Sequence, residues 1–133
     1  MNAARRLAAL LALLIALPAA ASGRTTVTVL ETSDLHVSLL PWDYARGAEG
    51  NWGLARVATR IRAIRAATPN VLLLDGGDTI QGTPAGWLEA RRPSGGVHPM
   101  AAAMNALGYD AMAVGNHEFN FGLAHLRKVE SES

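Results

Sequence analysis

The chain has 133 residues, half of them apolar and 17% charged, with a formal net charge of +1 and no cysteine. A charge so near zero leaves no electrostatic footprint for a nucleic-acid polymer or an anionic membrane surface. Without cysteine there are no disulfides and no thiolate zinc sites, so any metal ion must be held by His, Asp, Glu or Asn. The length suits one small domain, and the apolar share excludes a wholly disordered chain.

Residues 1–21 read as a secretory signal peptide. Arg5 and Arg6 form a positive start, Leu7 to Leu17 is an unbroken apolar run, and Pro18 precedes the small-residue site Ala19-Ala20-Ala21. The run is shorter than the roughly 20 residues that span a bilayer, so no stable membrane anchor is expected after cleavage. The surroundings of Arg5-Arg6 match a twin-arginine signal poorly, and ordinary secretion is the expectation. Cleavage removes both arginines and turns the net charge slightly negative. The expected location is a bacterial periplasm or the extracellular space.

Thr25 to Glu31 is β-branched and alternating, which predicts a strand. A polar, Gly-containing loop follows from Thr32 to Asn51. Gly53 to Thr68 reads as a helix with Leu54, Val57, Ile61 and Ile64 as its apolar stripe. Arg56, Arg60, Arg62 and Arg65 flank or oppose that stripe and read as a solvated face; Pro69 stops the helix. Val71 to Leu74 is a short apolar run suited to a strand buried on both faces. A helix opens at Pro99, with Met100, Met104 and Leu107 as core filler, and closes at Gly108. Ala111 to Val114 predicts a third buried strand, and Leu123 to Val129 begins a last helix. His98 and His125 read as surface histidines.

The order β-α-β-α-β-α with short apolar strands predicts an α/β fold, a parallel sheet covered by helices. Ligands of such sheets bind beyond the carboxyl ends of the strands. The loops there read Ser33-Asp34-Leu35-His36, Gly76-Gly77-Asp78-Thr79-Ile80-Gln81-Gly82 and Gly115-Asn116-His117-Glu118-Phe119-Asn120. Each offers oxygen or imidazole donors beside glycines. In Asp34-x-His36, alternation places both side chains on one side of an extended chain. A carboxylate such as that of Asp78 has two oxygens and can serve two ions. Each motif is weak alone; three in order, each at a strand end, point to a metal centre.

These stretches resemble the calcineurin-like metallophosphoesterases, and among them the exported nucleotidases: TSDLH (32–36), LLLDGGDTIQGTP (72–84) and YDAMAVGNHEFNFG (109–122). The closest likeness is to the bacterial 2′,3′-cyclic-nucleotide 2′-phosphodiesterase/3′-nucleotidase group. The first loop has Asp-Leu-His, Asp43-Tyr44 follows in LLPWDY (39–44), and Asn120 stands where 5′-nucleotidases more often have Asp. After Asp43-Tyr44 the chain departs from the group with Ala45, Arg46 and Gly47, which bears on substrate preference.

The resemblance implies two divalent ions (Mn²⁺, Zn²⁺, Co²⁺ or Mg²⁺) and a small-molecule nucleotide as substrate. It implies that Asp34 and His36 hold the first ion and Asp78 bridges both. Asn116 would bind the second ion and the phosphate. His117 would not ligate, but would stabilise the transition state or leaving oxygen as the catalytic residue. Glu118 is expected to brace its loop. The family's further histidine ligands, and its C-terminal nucleotide-binding domain, lie downstream of the matching stretches. Residues 22–133 are therefore expected to be the N-terminal part of the metallophosphoesterase domain, inactive alone. The alternatives are a 5′-nucleotidase, another two-metal phosphoesterase, or a non-catalytic remnant.

Overall fold

The computed structural model describes residues 23–92 and 95–133; the signal segment expected at residues 1–21 lies outside them. Strand β1 (Thr28–Thr32) pairs in parallel with β4 (Val71–Asp75), from Thr28 opposite Val71 to Thr32 opposite Asp75. Strand β5 (Ala111–Met112) joins the other side of β4, placing Leu74 opposite Ala111. Among the described residues the sheet order is β1-β4-β5, and a separate antiparallel hairpin is formed by β2 (Trp42–Asp43) and β3 (Ala48–Glu49). The helices are α1 (Leu54–Ala67), α2 (Pro84–Ala90), α3 (Pro99–Leu107) and α4 (Leu123–Glu130).

Helix α1 starts where the loop carbonyls of Ser38 and Leu39 accept the N–H groups of Leu54 and Ala55 at 2.8 and 2.9 Å. These bonds satisfy two donors that a helix start leaves unpaired. Its buried face is Leu54, Ala58 and Ile61, a spacing of four and three. Val57 turns outward instead of joining the expected stripe. These residues pack with Leu73 of β4 and Met100, Met104 and Leu107 of α3, so both methionines are core. Arg56, Arg60 and Arg62 are exposed as expected, whereas Arg65 reaches the Gly108 carbonyl and Asp110.

The structure corrects several expectations. Strand β4 is buried on one face only: Leu73 and Asp75 are enclosed while Leu72 is exposed, because α1 and α3 pack on the Leu73 side. Ala111, Ala113 and Val114 are exposed, since β5 pairs with a strand on one side only among the described residues. Helix α2 was not anticipated; Thr83 and Pro84 open it, with Pro at its first helical position. The hairpin interrupts the expected long loop and is turned by Asp43, whose Oδ1 accepts from the N–H groups of Ala45 and Arg46.

His98 is not a surface residue. It is fully buried as the N-cap of α3, where Nδ1 accepts from the Met100 N–H at 3.2 Å. The Glu132 carboxylate accepts its backbone N–H at 2.7 Å, and the His125 ring lies edge-on at 5.7 Å. Burial, then the neighbouring His125 and Lys128, lower the His98 pKa to about 4. His125 is half-buried, and its pKa is lowered by the same principal cause.

Candidate metal centre

The loops after β1 and β4 continue to pair after the strands end. Gly77, Asp78 and Thr79 carbonyls accept the N–H groups of Asp34, His36 and Val37 at 3.0, 2.9 and 2.9 Å. This ladder sets Asp34 and His36 beside Asp78. Each of the three offers a ligand atom, and those atoms lie within 4.8 Å of one another.

His36 Nδ1 lies 2.8 Å from the Gln81 carbonyl oxygen. An N–H at Nδ1 bonded to that carbonyl leaves the Nε2 lone pair free to ligate. Nε2 in turn lies 4.0 Å from the Asp34 carboxylate. Asp34 is the more exposed of the pair, and the Ser33 hydroxyl donates to it. Two carboxylates and an imidazole make a donor set that suits a borderline or hard divalent cation, so the residues present fit the ion their pattern implies.

Asp34, His36 and Asp78 all adopt positive φ, at 55°, 47° and 58°, as does the β-branched Val37 at 57°. Such conformations cost on the order of 1–3 kcal/mol each and persist only where the surroundings fix them. Part of what fixes them is Glu118. Its carboxylate is fully buried and accepts four backbone N–H groups: Asp78 (2.7 Å), Thr79 (2.6 Å), Ile80 (3.1 Å) and Gly115 (2.7 Å). The expected brace is thus a carboxylate that ties the second loop to the third.

Two glycines make the approach of those loops possible. Gly77 has φ 96°, and a Cβ there would lie 2.7 Å from the Gly115 nitrogen. A Cβ on Gly115 would collide with the Asp78 carboxylate.

The third loop forms a 3₁₀ turn at His117–Phe119. The His117 backbone N–H donates to Asp78 Oδ1 at 2.8 Å, and its ring stands edge-on to His36 with centroids 5.2 Å apart. Asn120 Nδ2 lies 3.1 Å from His117 Nδ1. Asn116 is exposed at the start of the turn. Asp34, His36, Asp78 and His117 therefore share one rim with Asn116 next to it, while His98 and His125 pair with each other. Asp43 is engaged in its own turn and Tyr44 is exposed.

Sequence reasoning missed Asp75. It is buried at the end of β4 and accepts bonds from the hydroxyls of Thr32 and Thr79, both at 2.6 Å. An acid that closes an apolar strand just before Gly-Gly-Asp was the available signal.

A parallel α/β sheet that gathers carboxylates and imidazoles at its carboxyl rim is an architecture suited to a divalent metal centre. The comparisons place it more closely. The Calcineurin-like phosphoesterase profile matches residues 27–132, and the chain belongs to that family. A 2′,3′-cyclic-nucleotide 2′-phosphodiesterase/3′-nucleotidase from Yersinia enterocolitica is 44% identical over 124 residues, 90% of this chain and 19% of that protein. Human 5′-nucleotidase is 42% identical over 130 residues, 94% of this chain and 22% of that protein. The crystal structure of the calcineurin-like phosphoesterase YfkN from Bacillus subtilis superposes with a TM-score of 0.73 at 40% identity, covering 77% of this chain and 33% of that one. The chain thus spans about a fifth of the length of these two curated relatives.

Proposed function

We propose that the polypeptide to which this chain belongs hydrolyses nucleotide phosphoesters, as a 2′,3′-cyclic-nucleotide 2′-phosphodiesterase and 3′-nucleotidase. The observation that carries the reading is the convergence of Asp34, His36 and Asp78 on one rim, with His117 against His36. Asp34 and His36 would hold a first divalent ion, the Asp78 carboxylate would serve that ion and a second, and Asn116 would bind the second ion and the phosphate. When bound, such ions polarise the phosphoryl group and lower the pKa of an attacking water.

The chain's own groups do the rest. With the Asn120 amide donating to Nδ1, His117 carries its proton on Nε2, placed to donate to a phosphoryl or leaving oxygen. Its backbone bond to Asp78 keeps that donor in register with the bridging carboxylate. Glu118 holds the second and third loops together, so the donor set needs little rearrangement on binding.

The 2′,3′-cyclic and 3′ preference is supported by the Yersinia relative and by Asn120. A second reading, 5′-nucleotide hydrolysis, is supported by the human relative at nearly the same identity. Residues 1–21 would direct export, and residues 22–133 would form the N-terminal part of the metallophosphoesterase domain.

A panel of 2′,3′-cyclic, 3′- and 5′-nucleotides, offered with Mn²⁺ to the full-length polypeptide, tests the assignment. Turnover of cyclic and 3′ substrates above 5′ supports it, the reverse order selects the second reading, and no turnover of any nucleotide refutes both. The 133-residue chain alone should release no phosphate from these substrates or from an aryl phosphate under excess Mn²⁺. Asp78 and Asn116 are too few protein ligands for the second ion, and steady turnover by the purified chain would show that downstream ligands are dispensable.

A further inference from the structure

Asp75 is the last residue of β4 and is 3% exposed. Its Oδ1 accepts from the Gly77 N–H at 3.0 Å and the Thr79 hydroxyl at 2.6 Å; its Oδ2 accepts from the Thr32 hydroxyl at 2.6 Å. Thr32 Oγ1 lies 2.9 Å from the Tyr109 hydroxyl. Because the single Thr32 proton goes to Asp75, Tyr109 must donate to Thr32. The network therefore runs one way, from Tyr109 through Thr32 to Asp75, and every donor that reaches the carboxylate points inward.

The two residues flanking Asp78 are both tied to this carboxylate, Gly77 through its backbone and Thr79 through its side chain. Between them Asp78 sits at φ 58°, a conformation disfavoured for a residue with a Cβ. Glu118 accepts the Asp78 and Thr79 N–H groups, and the first loop donates to the carbonyls from Gly77 to Thr79. Every backbone N–H and C=O from Gly77 to Thr79 is thus partnered, and Asp75 supplies the share that neither Glu118 nor the first loop provides.

We propose that Asp75 is a positioning residue for the metal centre: by fixing Gly77 and Thr79 it holds Asp78 in its left-handed conformation, with its carboxylate facing Asp34 and His36. The proposal rests on Asp34, His36 and Asp78 being ion ligands. It separates two substitutions that a merely structural role would rank by stability alone. In Asp75→Asn, the amide oxygen still accepts from Gly77 and Thr79, the amide nitrogen donates to Thr32, and Thr32 turns its proton to the Tyr109 oxygen. In Asp75→Ala none of these bonds can form.

The test is Mn²⁺ affinity of the full-length polypeptide, measured by electron paramagnetic resonance of the free ion, with thermal melting alongside. Asp75→Ala should weaken Mn²⁺ binding by about 10–100-fold, the usual range for lost support behind a ligand. Asp75→Asn should bind close to the unmodified polypeptide. Thr79→Val, which deletes one hydroxyl bond at constant volume, should fall between them, and it decides the matter if Asp75→Ala does not fold. Leu107→Ala, a core truncation that makes none of these bonds, is the stability control. Unchanged affinity in Asp75→Ala and Thr79→Val would overturn the proposal and leave the ligand reading standing. Equal weakening in a Leu107→Ala protein of matched melting temperature would overturn it too. If the unmodified full-length polypeptide binds no Mn²⁺, the ligand reading and this proposal fall together.

Discussion

Replacing Glu118 by Gln changes no volume but converts one carboxylate oxygen into an amide donor. Each oxygen now accepts two backbone N–H groups: Oε1 those of Thr79 and Ile80, Oε2 those of Asp78 and Gly115. Whichever way the amide is oriented, one pair of N–H groups loses its acceptor and faces another donor. Hydrogen bonds to a charged group are worth about 1.5–3 kcal/mol each, so two lost bonds cost about 3–6 kcal/mol. The side chain is fully buried, so water offers little relief. Against a typical domain stability of about 5–15 kcal/mol, that loss takes much of the folded state's margin. Urea unfolding followed by circular dichroism, without metal, measures it directly. A Glu118→Gln chain within about 0.5 kcal/mol of the unmodified one, the scatter of an ordinary surface change, would show that the four bonds do not hold the loops together.

Further outcomes follow from the same geometry. In the full-length polypeptide, Asp78→Ala should lose most bound metal, whereas His117→Ala should keep it while kcat falls by about two to three orders of magnitude. Metal analysis beside kinetics tests the pair, and an emptied site in His117→Ala would reassign that residue as a ligand. The lowered pKa of His98 makes the unfolded chain the better proton binder between the ordinary histidine value of 6.5 and about 4. Stability should therefore fall with pH through that window, by about 2 kcal/mol at about pH 5, with His125 adding in the same direction. Urea midpoints should drop accordingly, and His98→Asn, which can still cap α3, should flatten the slope; equal midpoints at neutral and acid pH would contradict the burial argument. The exported protein should begin at Ser22 by N-terminal sequencing, and an intact Met1 would remove the signal-peptide reading.

The elements with a clear period were legible from the residues alone: the β-branched run of β1, the helix α1 with Leu54 and Ile61 on its buried side, and the methionine face of α3. The three loops were legible because each follows such a run, and in a parallel sheet those ends meet. What escaped were features set by long-range contact. His98 sits in a Gly-rich stretch that reads as surface, yet α3, α4 and the final residues enclose it. Helix α2 is only seven residues, too short for a periodic signal, and its Thr83-Pro84 start was the sole local cue. Asp75 lies one residue past the expected strand Val71 to Leu74, and its hydrogen bonds depend on Thr32 and, through it, Tyr109, far away in sequence. The positive φ values of Asp34, His36 and Asp78 are only weakly marked, since Asp and His are enriched there but rarely adopt it, and they replace the extended chain expected for Asp34-x-His36.

The backbone ladder that runs past the ends of β1 and β4 gives the centre an unusual kind of ruler. The distance from Asp34 and His36 to Asp78 is counted in strand register, not in side-chain reach. One residue inserted between Thr32 and Asp34 would shift both donors by one position relative to Asp78. Truncating His36 would leave these backbone bonds in place, whereas truncating Asp78 would also remove the acceptor of the His117 N–H. Backbone pairing therefore fixes the spacing of Asp-x-His against Asp78 before any ion is bound.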